Sequence, residues 1–141
     1  MTRYLLDTNI ISHIVKPSPS ASLLTWMAAQ ADDDLFISSV TVAEIRRGIV
    51  ELPAGRRRQD LEAWFAGPSG PMSIFANRIL PFNEGAALLW ADFMAKGKLV
   101  GRPRSAFDML IAATAIQSHC VIVTDNERDF AGFDVFNPVR S

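Results

Sequence analysis

Five acids stand where their type and spacing allow chemistry: Asp7, Glu44, Asp108, Asp125 and Asp129. Asp7 closes the apolar run Tyr4-Leu5-Leu6. Glu44 lies one short turn and one helical turn after Leu35-Phe36-Ile37. Asp108 opens a very apolar helix, Asp125 follows Val121-Ile122-Val123, and Asp129 comes one turn later. Carboxylates gathered in one place repel each other, so some must protonate or find a cation. A set of oxygen ligands without His or Cys favours Mg²⁺ or Mn²⁺ over zinc. Such an ion activates water and neutralises charge building on phosphorus oxygens, and a second ion stabilises a leaving oxygen. These residue types therefore point to metal-dependent hydrolysis of phosphodiesters.

Each acid also has a purely structural reading. Glu44 has capping-box spacing from Thr41, and Asp108 has it from Ser105. Asp7 is placed to cap a helix, and Asp125 and Asp129 are commonplace turn acids. The chemical reading draws its weight from all of them falling on one edge of the fold. Competing sites are weaker. His13 and His119 lie on different predicted helices without ligand-like spacing. Ser38 and Ser39 lack a G-x-S-x-G setting, and neither a P-loop nor G-x-G-x-x-G occurs. Trp26, Trp64 and Trp90 fall at helical spacing with other apolar residues, which reads as core or subunit interface.

The elements that must position these acids alternate. After the first strand, Ile10, Ile11, Ile14 and Val15 recur at helical spacing until Pro17 and Pro19. Leu23, Leu24, Trp26 and Met27 form a second helix, and Asp32-Asp33-Asp34 reads as a solvated loop. A strand over 35–37 precedes a helix from Thr41 to about Glu51. A further helix is expected over 56–65, a loop over 67–71, a minor strand at Ile79-Leu80 and a helix over 86–94. The stretch 96–103 reads as a basic loop with Gly97 and Gly101. A helix over 109–118, a strand over 121–123 and a short edge strand at Val135-Phe136 complete the chain. Strands alternating with helices predict a parallel sheet covered on both faces. Function in such sheets gathers at the carboxyl ends of the strands, near the point where strand order reverses.

The 141 residues suit one domain, read here as 1–141; 49% are hydrophobic and 21% charged, so disorder and low complexity are excluded. With 15 acids against 14 bases the net charge is −1, which predicts no strong global attraction to nucleic acid but leaves local attraction open. The bases cluster at Arg46-Arg47, Arg56-Arg57-Arg58, Lys96 with Lys98, and Arg102 with Arg104. One cysteine, Cys120, allows neither an intrachain disulfide nor a Cys-based zinc site, and fits a reducing compartment. Asp7 interrupts the N-terminal apolar run too early for a signal peptide, and no stretch reads as a membrane span. A cytoplasmic protein is expected.

Leu5-Leu6-Asp7-Thr8-Asn9-Ile10-Ile11-Ser12 resembles the opening motif of PIN-domain ribonucleases. The run from Ser38 to Gly48 resembles that family's second motif, and Ala106 to Ala115 its third. Val123 to Phe130 resembles the fourth, and Phe136-Asn137-Pro138 the tail. The match spans nearly the whole chain in family order, and within the family it is similar to the VapC and FitB toxins of type II toxin–antitoxin modules. The resemblance implies a PIN-like three-layer α/β/α fold with a central parallel sheet of four to five strands. It implies an endoribonuclease using Mg²⁺, with Mn²⁺ an alternative. Asp7, Glu44 and Asp108 would be the core acids holding the metal, with Asp7 and Asp108 the principal ligands. Thr8 or Thr124 would orient the attacking water, and Asn9 would support the first turn. Asn126 and Asp129 take family positions, so Asp129 is the favoured fourth acid, while Asp125 adds a carboxylate to the metal set. The resemblance further implies a homodimer and a cognate antitoxin that threads an Arg or Lys into the acids, as suits a carboxylate cluster. Arg46, Arg47, Arg102 and Arg104 would then contact RNA phosphates.

Two other classes compete. A phosphatase with Asp7 as phosphorylated nucleophile would carry a second Asp two residues on, where this chain has Asn9, and it lacks a well-placed lysine. A PIN-like binding module acting through its partner alone would have no need of Asp7, Glu44 and Asp108 together.

Overall fold

The computed structural model describes residues 1–140. Five strands, β1 (Arg3–Leu6), β2 (Leu35–Ser38), β3 (Ile79–Leu80), β4 (Cys120–Val123) and β5 (Val135–Phe136), form one sheet in the order β3-β2-β1-β4-β5. Every neighbouring pair is parallel, with Leu5 opposite both Phe36 and Ile122. The chain first steps outward from β1 through β2 to β3, then returns to the other side of β1 for β4 and β5. Strand order thus reverses beside β1, and the crevice this creates opens at the carboxyl ends of β1 and β4.

Helices cover both faces because successive residues on a strand point to opposite sides. Leu5 and Ile122 enter a core with Met109, Ile111, Ala112, Ala115 and Phe130. Leu6 and Val123, their neighbours in sequence, enter the other core with Ile10, Ile11, Leu23 and Phe75. The helices are α1 (Thr8–Ile14), α2 (Ala21–Ala29), α3 (Ser39–Val50), α4 (Arg56–Ala66), the single turn α5 (Pro71–Ile74), α6 (Glu84–Leu99) and α7 (Ala106–Gln117). The result is the expected three-layer α/β/α arrangement. Trp26 packs edge-on against Tyr4 at 5.0 Å and tilted against Phe136 at 5.4 Å, joining the second core.

Several boundaries differ from the sequence reading, each for a local reason. Helix α3 starts at Ser39, because Ser38 leaves β2 in an extended conformation and its hydroxyl accepts the Thr41 amide at 2.9 Å. Thr41 is therefore inside the helix rather than its cap, and Glu44 is released from the capping-box role. The stretch 96–103 is not a loop throughout: Lys96, Gly97 and Lys98 form the last turn of α6, where the cations suit the helix dipole. Gly97 is needed there, since a Cβ would lie 2.9 Å from the Arg102 carbonyl oxygen. Asp32–Asp34 forms a 3₁₀ turn, and Pro71 opens α5 instead of closing a loop. His119 ends α7 in the left-handed region at φ 57°, a terminating role. No helix among the described residues is long and apolar enough to cross a membrane.

Candidate active site

Asp7 is delivered by the central strand. Its amide donates to the Val123 carbonyl at 2.8 Å, the bond that prolongs the β1–β4 pairing by one residue. The chain then turns into α1, and the Asp7 side chain is only 6% exposed. One carboxylate oxygen accepts the Thr8 amide at 2.8 Å and the other accepts the Thr124 hydroxyl at 2.9 Å. Thr124, fully buried at the end of β4, is itself held by the Asn9 amide group at 3.2 Å and the Asn126 backbone amide at 2.9 Å. The first and fourth motif segments are thus locked together through one hydroxyl.

Glu44 enters from the second turn of α3 and Asp108 from the first turn of α7, where Ser105 caps the helix by accepting the Asp108 amide at 3.2 Å. Both are half-buried. Burial pushes the Asp7 carboxyl up to about 6, helped by the charges of Asp108 and Glu44 and opposed by its bonds from Thr124 and Thr8. Asp108 is raised too, first by burial and then by the neighbouring Asp129 carboxylate. Asp129, on the 3₁₀ turn Glu127–Phe130, is an exposed acid steadied by the Asn126 side-chain amide. Asp7, Glu44 and Asp108 are therefore linked electrostatically, and Asp129 acts on Asp108, although the four come from separate segments.

Asp125 is placed differently. Its carboxylate faces His13 of α1, with Nε2 to Oδ2 at 2.9 Å, and receives the Asn137 side-chain amide on its other oxygen at 3.5 Å. Its backbone amide donates to Asn9 at 3.2 Å. It ties α1 to the end of β4 and does not itself line the groove; Asp129 does not line it either, and reaches the site only as the neighbour of Asp108.

The groove beside Asp7 has a volume of about 1320 Å³. Asp7, Glu44, Asp108 and Asn126 line it together with the apolar Ile11, Ile45, Leu61 and Trp64. Among the described residues, none of the four coupled acids forms an ion pair with Lys, Arg or His. Nor do three His, Cys, Asp or Glu side chains among them converge as a ready-made coordination shell. The donor set still fits a hard cation: it is all oxygen, it includes a buried carboxylate whose charge is uncompensated, and one or two carboxylates with water suffice for Mg²⁺.

The bases expected to meet RNA lie elsewhere. Arg46 reaches Glu62 at 4.0 Å and stacks over Phe65, and Arg47 pairs with Glu51 at 3.1 Å. Arg104 donates to the Ala131 carbonyl at 2.7 Å and covers Phe133, while Arg102 is exposed beyond α6. The basic residues that do line the groove are Lys16, Arg56 and Arg57. Sequence reasoning also passes over Thr41, which is fully buried and accepts hydroxyl bonds from Thr8 at 3.1 Å and Ser38 at 3.2 Å. This hydroxyl cluster pins the start of α1 to the start of α3, and so sets Asp7 against Glu44. The Ser-x-x-Thr spacing at the strand end is its only trace in the sequence.

The family model of the PIN domain matches residues 4–135. VapC ribonuclease Y4jK of Sinorhizobium fredii is 38% identical over 136 residues, which cover 95% of this chain and 96% of that protein. Toxin FitB of Neisseria gonorrhoeae is 36% identical over the same shares of each. The crystal structure of FitAcB from Neisseria gonorrhoeae superposes with a TM-score of 0.86 at 35% identity, covering 98% of this chain and 99% of that one. The reversal of strand order, the four coupled acids beside it and these full-length similarities agree: the chain belongs to the PIN domain family, with VapC and FitB among its relatives.

Proposed function

We propose that the groove is the active site of a divalent-metal-dependent endoribonuclease and that the chain is the toxin of a type II toxin–antitoxin pair. The observation that carries this reading is Asp7: a buried carboxyl with Asp108 and Glu44 close enough to raise it and no base to neutralise it. Burying such a charge without compensation is unfavourable, and a cation removes the penalty. Asp7 and Asp108 would hold Mg²⁺ or Mn²⁺, with Glu44 and Asp129 completing the negative field. When bound, the ion favours ionised water and offsets charge on the phosphoryl oxygens. The chain's own residues do the rest. The Thr8 amide and Thr124 hydroxyl fix the orientation of the Asp7 oxygens, and Asn9 and Asn126 fix Thr124. Glu44, which lines the groove, would take the proton that the attacking water loses as its oxygen bonds to phosphorus and the P–O bond to the leaving nucleotide breaks, solvent protonating the leaving oxygen, while Asp129 would act on Asp108 from outside the groove. Asp125 ties α1 to the end of β4 through His13.

The partner reading has the same footing. The relatives with solved structures include FitAB bound to a DNA fragment. A cognate antitoxin laid on the groove's apolar residues would bring an Arg or Lys to the uncompensated acids, and a homodimer of toxins would carry two such grooves. The test is direct. Purified protein incubated with total cellular RNA should cut it with Mg²⁺ or Mn²⁺, stop with chelator, and fail to cut after Asp7→Asn. Cleavage that survives Asp7→Asn ends the proposal.

A further inference from the structure

Six of the 14 Lys and Arg side chains are held by ion pairs, backbone carbonyls or an aromatic ring, and of the others only three line the groove. Arg46 and Arg58 share Glu62, and Arg47 holds Glu51. Arg78 donates to the carbonyls of Asp32, Leu35 and Ile74, Arg104 to that of Ala131, and Arg3 lies over Phe36 at 4.5 Å. Lys16, Arg56 and Arg57 differ. All three are exposed, none forms an ion pair among the described residues, and all three line the groove that holds Asp7, Glu44 and Asp108. The one acid among them, Asp60, also lines the groove and pairs with neither arginine. Lys16 does touch the His13 ring, at 3.4 Å.

Three cations without an ion pair and the uncompensated carboxylates thus line one groove, which carries both signs of charge. A polyanion cannot lie over the acids without repulsion unless something nearby attracts its other charges. Lys16 stands past the end of α1, nine residues and so roughly 13 Å from Asp7 at 1.5 Å per residue. That is about three to four stacked nucleotides of one strand at 3.4 Å each. We infer that Lys16, Arg56 and Arg57 form the substrate's phosphate clamp, holding the RNA backbone a few nucleotides from the bond placed at Asp7 and Asp108. The inference rests on the ribonuclease reading and moves backbone recognition away from Arg46, Arg47, Arg102 and Arg104. The clamp reads charge, so it sets affinity and the direction in which the strand lies, and it carries no base specificity.

The experiment uses the full chain with Asp7→Asn, so that RNA binds without being cut, and a short fluorescein-labelled RNA of random sequence as probe. The triple variant Lys16→Gln, Arg56→Gln, Arg57→Gln should bind about tenfold or more weakly than its parent. Its plot of log affinity against log salt should flatten by about 0.7 for each phosphate no longer neutralised, roughly 2 in all. Lys98→Gln, an exposed lysine at the far end of α6, should change neither. In the cutting-competent chain the triple variant should raise KM and leave kcat near the parent value, as the removal of uniform binding does. A circular-dichroism melt that matches the parent shows that the fold is intact. Unchanged RNA affinity and slope in the triple variant overturn the clamp while leaving the ribonuclease reading standing. So does a slope that moves only with Arg47→Gln or Arg102→Gln. RNA binding kept while binding of the co-expressed antitoxin disappears assigns the bases to the protein partner and overturns it equally. A wild-type chain that cuts no RNA with any divalent ion removes both readings together.

Discussion

Asp7 and Asp125 occupy matching places in this fold. Each lies just past the end of a parallel strand, the strands are neighbours, and both carboxylates point toward α1 or its start. What surrounds them is opposite. Asp7 is buried among other acids with only neutral donors, whereas Asp125 is half-buried against a histidine at 2.9 Å. Position at the end of a strand makes an acid available; the charge of what faces it determines whether it awaits a cation or ties a helix to a strand.

The contrast between these two acids is most exposed to test at the level of activity. Asp7→Asn and Asp108→Asn should each lower RNA cleavage by about 10³-fold or more, beyond the roughly 10–100-fold typical of an outer-shell partner. Asp125→Asn should keep the rate within about tenfold, measured as initial rates on the same RNA. Equal losses at Asp7 and Asp125 would erase the distinction.

Stability should separate the two acids with the opposite sign. The Asp7 carboxyl titrates at about 6 in the folded chain against an ordinary value of 3.8, so the folded state holds its proton more tightly than the unfolded state. Without metal, stability from this group is greatest below about pH 4 and falls as pH rises to about 6. The whole loss is on the order of 3 kcal/mol at most. Asp7→Asn should therefore raise the melting temperature at neutral pH in chelator and abolish the further rise that Mg²⁺ brings to the wild type. Denaturant melts at pH 4 and pH 7 check the sign, since the gain should shrink toward pH 4.

A smaller effect probes how Asp7 is held. Thr124→Val removes the hydroxyl that donates to it at 2.9 Å and should push the Asp7 carboxyl further up, with cleavage down about 10–100-fold and largely rescued by Thr124→Ser. The smallest sits on the other acid: His13→Gln should lower stability by up to about 1 kcal/mol, as breaking a partly exposed pair does, and leave cleavage nearly intact.

What the sequence discloses follows from how far each determinant reaches along the chain. The strands over residues 35–37 and 121–123 and the apolar α7 are visible because burial on both faces leaves continuous apolar runs. Asp7, Glu44 and Asp108 are visible because parallel strands deliver their carboxyl ends to one edge. The contrast between Asp125 and Asp129 is not visible, since the partner of Asp125 lies 112 residues away at His13. Gly97 reads as a loop residue because the reason for a glycine in that helix, the Arg102 backbone, arrives only through packing. Lys16 and Arg56 are 40 positions apart, and they meet at one groove because α3 packs against both α1 and α4.

The pairing of β4 with β1 has a consequence for how such an enzyme is made. Asp7 obtains its Thr124 bond, and Asp108 its Asp129 neighbour, only once the last part of the chain has docked beside the first. Translation that halts before β4 releases a fragment with Asp7 and Glu44 but no Thr124 or Asp129, and therefore no assembled site.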